Sequence, residues 1–191
     1  MEVVNAVTMA HHFIHPKLST ANLVIDATAG NGYDTLFLAE NTPKKTTIVS
    51  FDIQAEALAK TEILLSKHSL LYKVRLILDS HANIANYINQ PIDAAMFNLG
   101  YLPGGNHLVS TSPDTTLQAM TNILQCLKTK GLITIAAYPG YEHGRVECQT
   151  VHEYLTNLNQ KAFTVGCWSM VNQKNNPPVL YIIQKNKEWT A

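Results

Sequence analysis

The sequence predicts an α/β fold: a seven-stranded, mostly parallel sheet with one antiparallel strand and helices on both faces. Three observations predict it. Short apolar runs alternate with helix-period segments from Leu23 to Lys185. The first run, Val24-Ile25-Asp26, enters the glycine turn Ala29-Gly30-Asn31-Gly32, which opens a helix. The last two runs are joined by a turn-rich segment without a helix, so they must pair antiparallel, because a parallel pair needs a crossover of about a dozen residues.

The elements follow in order. Residues 1–22 form a helical extension, with a helix from Val3 to Phe13, in front of the sheet; 1–191 is read as a single domain. After the first strand a helix covers Asp34 to Glu40, and Asp34 or Thr35 can cap it. Thr46 to Phe51 is a second strand ending in Asp52. Gln54 to His68 carries Ala55, Leu58, Ala59, Ile63 and Leu65 at near-helical spacing and should cover the sheet. Val74 to Leu78 is a third strand ending in Asp79-Ser80-His81, and Ser80 to Asn89 a short helix. Asp93 to Phe97 is a buried strand, Pro113 to Leu127 a helix closed by Gly131, and Leu132 to Ala137 another buried strand. Arg145 to Leu158 reads as a helix, and Phe163 to Met170 and Val179 to Gln184 as the final strands. The segment Asn175-Asn176-Pro177-Pro178 between them reads either as reaching the rim of the pocket or, as the simpler assumption, as a plain hairpin loop.

Composition narrows the function classes. Fourteen basic and fourteen acidic residues cancel, so no long-range field draws the protein onto nucleic acid; a small patch from Lys17, Lys44, Lys45, Lys128, Lys130 and Arg145 stays open. The three cysteines lack C-x-x-C spacing and indicate neither a disulfide framework nor a zinc knuckle. No apolar run approaches the roughly eighteen residues that span a bilayer. A cytoplasmic protein without membrane contact is expected, as monomer or homodimer. His11, His12 and His15 have no carboxylate or cysteine companion at metal-ligand spacing and read as a histidine-rich helix end, so no metal site is expected.

The glycine turn defines the chemistry. A dinucleotide site would show G-x-G-x-x-G, with a pyrophosphate on the helix end. Here Asp26 and Asp34 flank the glycines instead and would repel phosphate. A cationic cofactor suits them. S-adenosylmethionine carries an ammonium and a sulfonium and no phosphate, and the pattern resembles the first motif of the class I, Rossmann-like methyltransferases. Asp52, about twenty residues beyond the turn, can take both ribose hydroxyls. In class I methyltransferases a polar residue at the position of Asp79 faces the adenine amino group.

Ligands of open α/β sheets sit where the first and fourth strands diverge. The fourth strand runs into Asn98-Leu99-Gly100-Tyr101, in the place of the [D/N]-P-P-[Y/F/W] motif of amino-methyltransferases, with Leu99-Gly100 replacing Pro-Pro. Asn98 keeps a carbonyl that can accept from an amine, and Tyr101 an aromatic wall for a flat base. His81, His107 and His143 are each read either as proton acceptors or as surface or supporting histidines. The loops Pro103 to His107 and Pro139 to Gly144 should rim the pocket; they either clamp substrate, with Tyr141 stacking and Arg145 near a phosphate, or are simple turns.

Together D-A-T-A-G-N-G-Y-D-T-L-F-L-A, F-D-I-Q, L-D-S-H, N-L-G-Y-L-P-G-G and N-N-P-P resemble the small bacterial "putative rRNA methylase" family over nearly the whole chain. The resemblance implies methyl transfer from S-adenosylmethionine to the 5-aminomethyl group of 2-thiouridine at the tRNA wobble position, making the anticodon region of tRNA the partner. It also implies site roles. Asp26, Gly30, Asn31, Gly32 and Asp34 would cradle the methionine end, Asp52 and Gln54 the ribose, and Asp79, Ser80 and His81 the adenine. Asn98 and Tyr101 would form the catalytic acceptor site, with His107, Tyr141 and Arg145 toward substrate. An rRNA or small-molecule N-methyltransferase, and a non-catalytic S-adenosylmethionine-binding regulator, are the competing readings.

Overall fold

The computed structural model describes residues 5–100 and 110–188, so Tyr101, His107 and the predicted helix start at Val3 lie outside the described residues. The chain forms α1 (Ala6–Leu18), β1 (Leu23–Asp26), α2 (Tyr33–Asn41), β2 (Thr47–Asp52), α3 (Ala55–Lys67), β3 (Val74–Leu78), β4 (Ile92–Asn98), α4 (Pro113–Cys126), β5 (Leu127–Ala137), α5 (Glu142–Thr156), β6 (Phe163–Ser169) and β7 (Val179–Lys185). Short 3₁₀ turns span Leu71–Lys73 and His81–Asn86.

The strands form one seven-stranded sheet in the order β3-β2-β1-β4-β5-β7-β6. β1 pairs parallel with β2 and β4, whereas β7 runs antiparallel to both β5 and β6. The predicted α/β architecture and its reversed strand hold. Side chains of successive strand residues face opposite sides. Leu23, Ile25, Val49, Phe51, Ala95 and Phe97 therefore join the α4–α5 layer, while Val24, Ile48, Ala94 and Met96 join the layer made by α1, α2 and α3.

Three local readings are corrected. α1 runs through Pro16 to Leu18 rather than stopping at Phe13, because Met9, Ala10, Ile14 and Leu18 continue a buried stripe whose burial outweighs the backbone bond that proline removes. It packs on β4, β5 and β7, so it is a layer of the fold rather than an extension in front of it. Gly131 does not close α4, which ends at Cys126; β5 already starts at Leu127, opposite Ile92, and a register irregularity follows between Ile92 and Ala94. Lys130 takes the left-handed turn, with φ 63°, and Gly131 is needed for room: a Cβ there would sit 2.7 Å from Leu127 Cδ1 and the Lys128 carbonyl oxygen. The segment after β3 forms a 3₁₀ turn, His81–Asn86, started by the Ser80 hydroxyl accepting from the Ala82 amide, instead of a helix to Asn89.

Candidate active site

A cleft of about 1020 Å³ opens at the carboxyl ends of the strands. Its location is that expected for an open α/β sheet, where the β1 and β4 crossovers diverge to opposite faces. The residues after β1 make its floor. Ala27 donates to the Met96 carbonyl at 2.9 Å and Ala29 to the Phe51 carbonyl at 2.8 Å, tying the turn to both neighbouring strands. Gly32 then starts α2 at φ 86°, with no side-chain cap, and a Cβ on it would lie 2.9 Å from Thr61 Cα. Neither Asp34 nor Thr35 caps α2: both lie inside its first turn and point elsewhere.

Asp26 is fully buried beneath this turn rather than at the cleft surface. Its carboxylate accepts the Thr35 hydroxyl at 2.5 Å and the Thr28 amide at 3.1 Å. Burial, then the charge of Asp34, push its pKa up to about 7. Asp26 thus braces the turn, and Gly32 likewise is not among the residues lining the cleft.

On the β2–β3 side, Asp52 Oδ2 accepts the Gly30 amide and Oδ1 the Gln54 amide, each at 2.9 Å. Each oxygen keeps a lone pair for a further donor. Asp79 is held by the Ser80 amide at 2.7 Å, Asn83 Nδ2 at 2.8 Å and the Tyr87 hydroxyl at 2.8 Å. The Asn83 bond, then those from Tyr87 and Ser80, hold its pKa below the usual carboxylate value. His81 lies buried under the same rim, Nδ1 3.1 Å from the Ala27 carbonyl, with Nε2 lacking a hydrogen-bond partner among the described residues. Since the carbonyl only accepts, Nδ1 carries the hydrogen, and burial depresses the pKa, so the ring is neutral with a lone pair on Nε2.

On the β4–β5 side, the Asn98 amide donates to Thr28 Oγ1 at 2.7 Å, and its side-chain Nδ2 donates to Asp34 Oδ2 at 3.3 Å. The other Asp34 oxygen lies 2.6 Å from His11 Nε2, and the His11 ring stacks on Phe37 with centroids 3.8 Å apart. Tyr138, just past β5, also lines the cleft; burial and the Asp34 charge raise its phenol to about 12, so it stays a donor. Below this wall Glu147, buried on α5, accepts the hydroxyls of Thr111 at 2.6 Å and Thr116 at 2.7 Å. Gly100 and Thr111 exchange two further bonds, N–H to Oγ1 at 2.8 Å and N–H to carbonyl at 2.9 Å.

Of the residues expected at the site, Gly30, Asn31, Asp34, Asp52, Gln54, Asp79, Ser80, His81, Asn98 and Tyr141 line the cleft. Arg145 does not: it is exposed on α5 and pairs with Glu142 at 2.9 Å. His143 is exposed as well. The hairpin loop reading of Asn175 to Pro178 was too plain, because all four residues line the rim, with Asn175 and Asn176 in left-handed backbone at φ 66° and 52°. Missed altogether were Tyr138 and the His11–Asp34 pair. The carboxylate companion of His11 stands 23 residues away, beyond any metal-ligand spacing a local motif search would test.

A family model described as "Putative rRNA methylase" matches residues 48–184, more than half of the chain. The curated tRNA (mnm5s2U34)-methyltransferase, chloroplastic, of Arabidopsis thaliana is 30% identical, over 94% of this chain and 69% of that protein. A crystal structure described as a putative rRNA methylase of Clostridium thermocellum superposes with TM-score 0.94 at 40% identity, covering 97% of this chain and 100% of that one. A putative methyltransferase of Streptococcus mutans, solved in complex with SAH, gives TM-score 0.88 at 38% identity, covering 96% and 99%.

Proposed function

The chain belongs to the "putative rRNA methylase" family and is an S-adenosylmethionine-dependent methyltransferase, and we propose that it N-methylates the 5-aminomethyl group of 2-thiouridine at the tRNA wobble position. The observation that carries the reading is Asn98, placed at the end of β4 on the cleft wall with its side chain bonded to Asp34. Its Nδ2 donates to Asp34, which leaves Oδ1 to accept a hydrogen from an incoming amine. The name of the Arabidopsis relative supports the wobble nucleoside.

The residues present fit the methyl donor. When bound, it supplies a methyl group activated by a sulfonium. The free lone pairs of Asp52 suit ribose hydroxyls, and the neutral Nε2 of His81 is an acceptor of the kind a nucleobase amino group seeks. Gly30 and Asn31 carry the methionine end in this reading, Gln54 flanks the ribose, and Asp79 and Ser80 the adenine. Phosphate-free chemistry follows from the carboxylates: Asp34, Asp52 and Asp79 all line the cleft, and a pyrophosphate would face their charge. The protein's task toward the acceptor is placement, since holding a nucleophile about 3 Å from the methyl and in line is worth effective molarities of roughly 10⁵ M or more.

Tyr101 and His107 keep their proposed roles as aromatic wall and substrate contact by motif position alone. Tyr141 is the better-placed stacking residue among those described. Arg145 is left as a rim charge for the RNA backbone. We read the chain as acting on tRNA in the cytoplasm; among the described residues no helix is long and apolar enough to cross a membrane.

Nucleoside mass spectrometry of tRNA from a deletion strain tests the reading. Loss of the methylated wobble nucleoside, with its unmethylated 5-aminomethyl precursor accumulating, is expected. An unchanged wobble uridine would overturn it in favour of a small-molecule acceptor.

A further inference from the structure

Methyl transfer to an amine moves positive charge. The nitrogen's electron pair forms the new N–C bond and the C–S pair stays on sulfur, so the acceptor nitrogen becomes cationic as the donor sulfur becomes neutral. A fixed negative charge beside the nitrogen therefore binds the transition state better than the neutral amine that precedes it, which is the condition for raising kcat. We propose that Asp34 is that charge, and that His11 on α1 is the positioning residue that aims it. The inference rests on the amine-methylating reading above and deepens it.

Four observations place the pair. Asp34 lines the cleft yet is only 6% exposed, so solvent screens its charge little. Its Oδ2 lies 3.3 Å from Asn98 Nδ2, which ties the Asp34 carboxylate to the Asn98 side-chain amide at the end of β4. An amine can give one N–H to each and keep its lone pair directed away from both. His11 Nε2, at 2.6 Å from Oδ1, must carry the hydrogen, since an ionised carboxylate only accepts. The ring is held by stacking on Phe37 at 3.8 Å and 2° between planes.

Position within the cleft favours the acceptor over the methionine end of the donor. Asp52 marks the β2 side, whereas both partners of Asp34 come from the other direction: His11 from the helix that covers β4, β5 and β7, and Asn98 from β4 itself. Tyr138, which senses the Asp34 charge, follows β5. Asp34 thus stands at the junction where the methyl group and the nucleophile must meet.

The test uses full-length protein, S-adenosylmethionine and tRNA bearing 5-aminomethyl-2-thiouridine, with SAH affinity measured by calorimetry for each variant. Asp34→Asn keeps the shape and removes the charge; kcat should fall about 100-fold, within the range for losing a group aimed at developing charge, while SAH affinity stays within about threefold. His11→Ala should lower kcat roughly tenfold with KM little changed, and His11→Gln, which keeps a donor near the Nε2 position, should recover most of that loss. A purely structural role for His11 would lower melting temperature in both variants without that split. Wild-type turnover in Asp34→Asn, or an SAH affinity that falls as far as kcat does, overturns the inference. Wild-type protein inactive on this tRNA overturns the wobble reading instead and takes the inference with it.

Discussion

The two walls of the cleft hold their charged groups by different means. On the β2–β3 wall, Asp79 is gripped by Ser80, Asn83 and Tyr87 from its own following turn, and Asp52 by the amide of Gln54 two residues on and by Gly30 across the strand pair. On the β4–β5 wall, side chains meet across long sequence separations: His11 and Asp34 are 23 residues apart, Asp34 and Asn98 are 64 apart, and Thr111 and Glu147 are 36 apart. The first wall is built from strand tips and the turns that directly follow them, with partners no more than eight residues away except Gly30. The second depends on α1 and α5 docking correctly. Recognition of a donor common to a whole fold suits the first kind of wall, and recognition of one particular acceptor suits the second.

Substitutions can break this contrast, beginning with the largest effect. Asp52→Ala removes the proposed ribose acceptor and leaves the Gly30 and Gln54 amides without their partner; SAH affinity should fall at least about 100-fold, near 3 kcal/mol, by calorimetry. Wild-type affinity would remove Asp52 from the donor site. Asn98→Ala should lower turnover about 10- to 100-fold with SAH affinity nearly unchanged, which assigns the loss to the acceptor wall. If the two constants fall together, the walls are not separable.

Gly32→Ala probes the floor shared by both walls. A left-handed φ of 86° and a Cβ 2.9 Å from Thr61 Cα should cost about 1–3 kcal/mol, seen as a melting temperature several degrees lower. An unchanged melting temperature would mean that the turn relaxes freely.

The smallest expected effect is pH-linked. Asp26, raised to about 7, contributes stability that is complete below its unfolded value near 4 and is lost as pH rises toward 7. Glu147, raised by burial beneath the other wall, acts in the same direction. Thermal stability should therefore decline between about pH 4 and 7, and Asp26→Asn should flatten part of that decline. An identical slope in the variant would show that Asp26 does not titrate in this range.

Legibility in the sequence follows the same division. Asp52 and Asp79 announce themselves because a strand's end and the turn after it are contiguous, so a carboxylate there is placed by local geometry alone. Asn98 was legible for that reason, as the last residue of a buried strand. His11 was not, since helix periodicity locates a face but not the partner across it, and His11, His12 and His15 look equivalent until α1 is docked. Asp26 was legible as a strand-tip acid but not as a buried brace, because the turn geometry that carries the next residues over it is tertiary. Asn175 to Pro178 read as an ordinary hairpin, since nothing local says that β7 inserts between β5 and β6 and brings the loop over the cleft.

By itself the sequence determined the alternation of strands and helices, the antiparallel pairing of the last two strands, the glycine turn and the acids at the strand tips. Each depends on forces acting within a few residues: side-chain alternation, backbone freedom and the length a crossover requires. Only the tertiary structure decided that α1 is a packed layer, that His11 meets Asp34, and that Glu147 ties Thr111 to Thr116. Those contacts join segments that have no local preference for one another, and burial of the layers against the shared sheet is what brings them together.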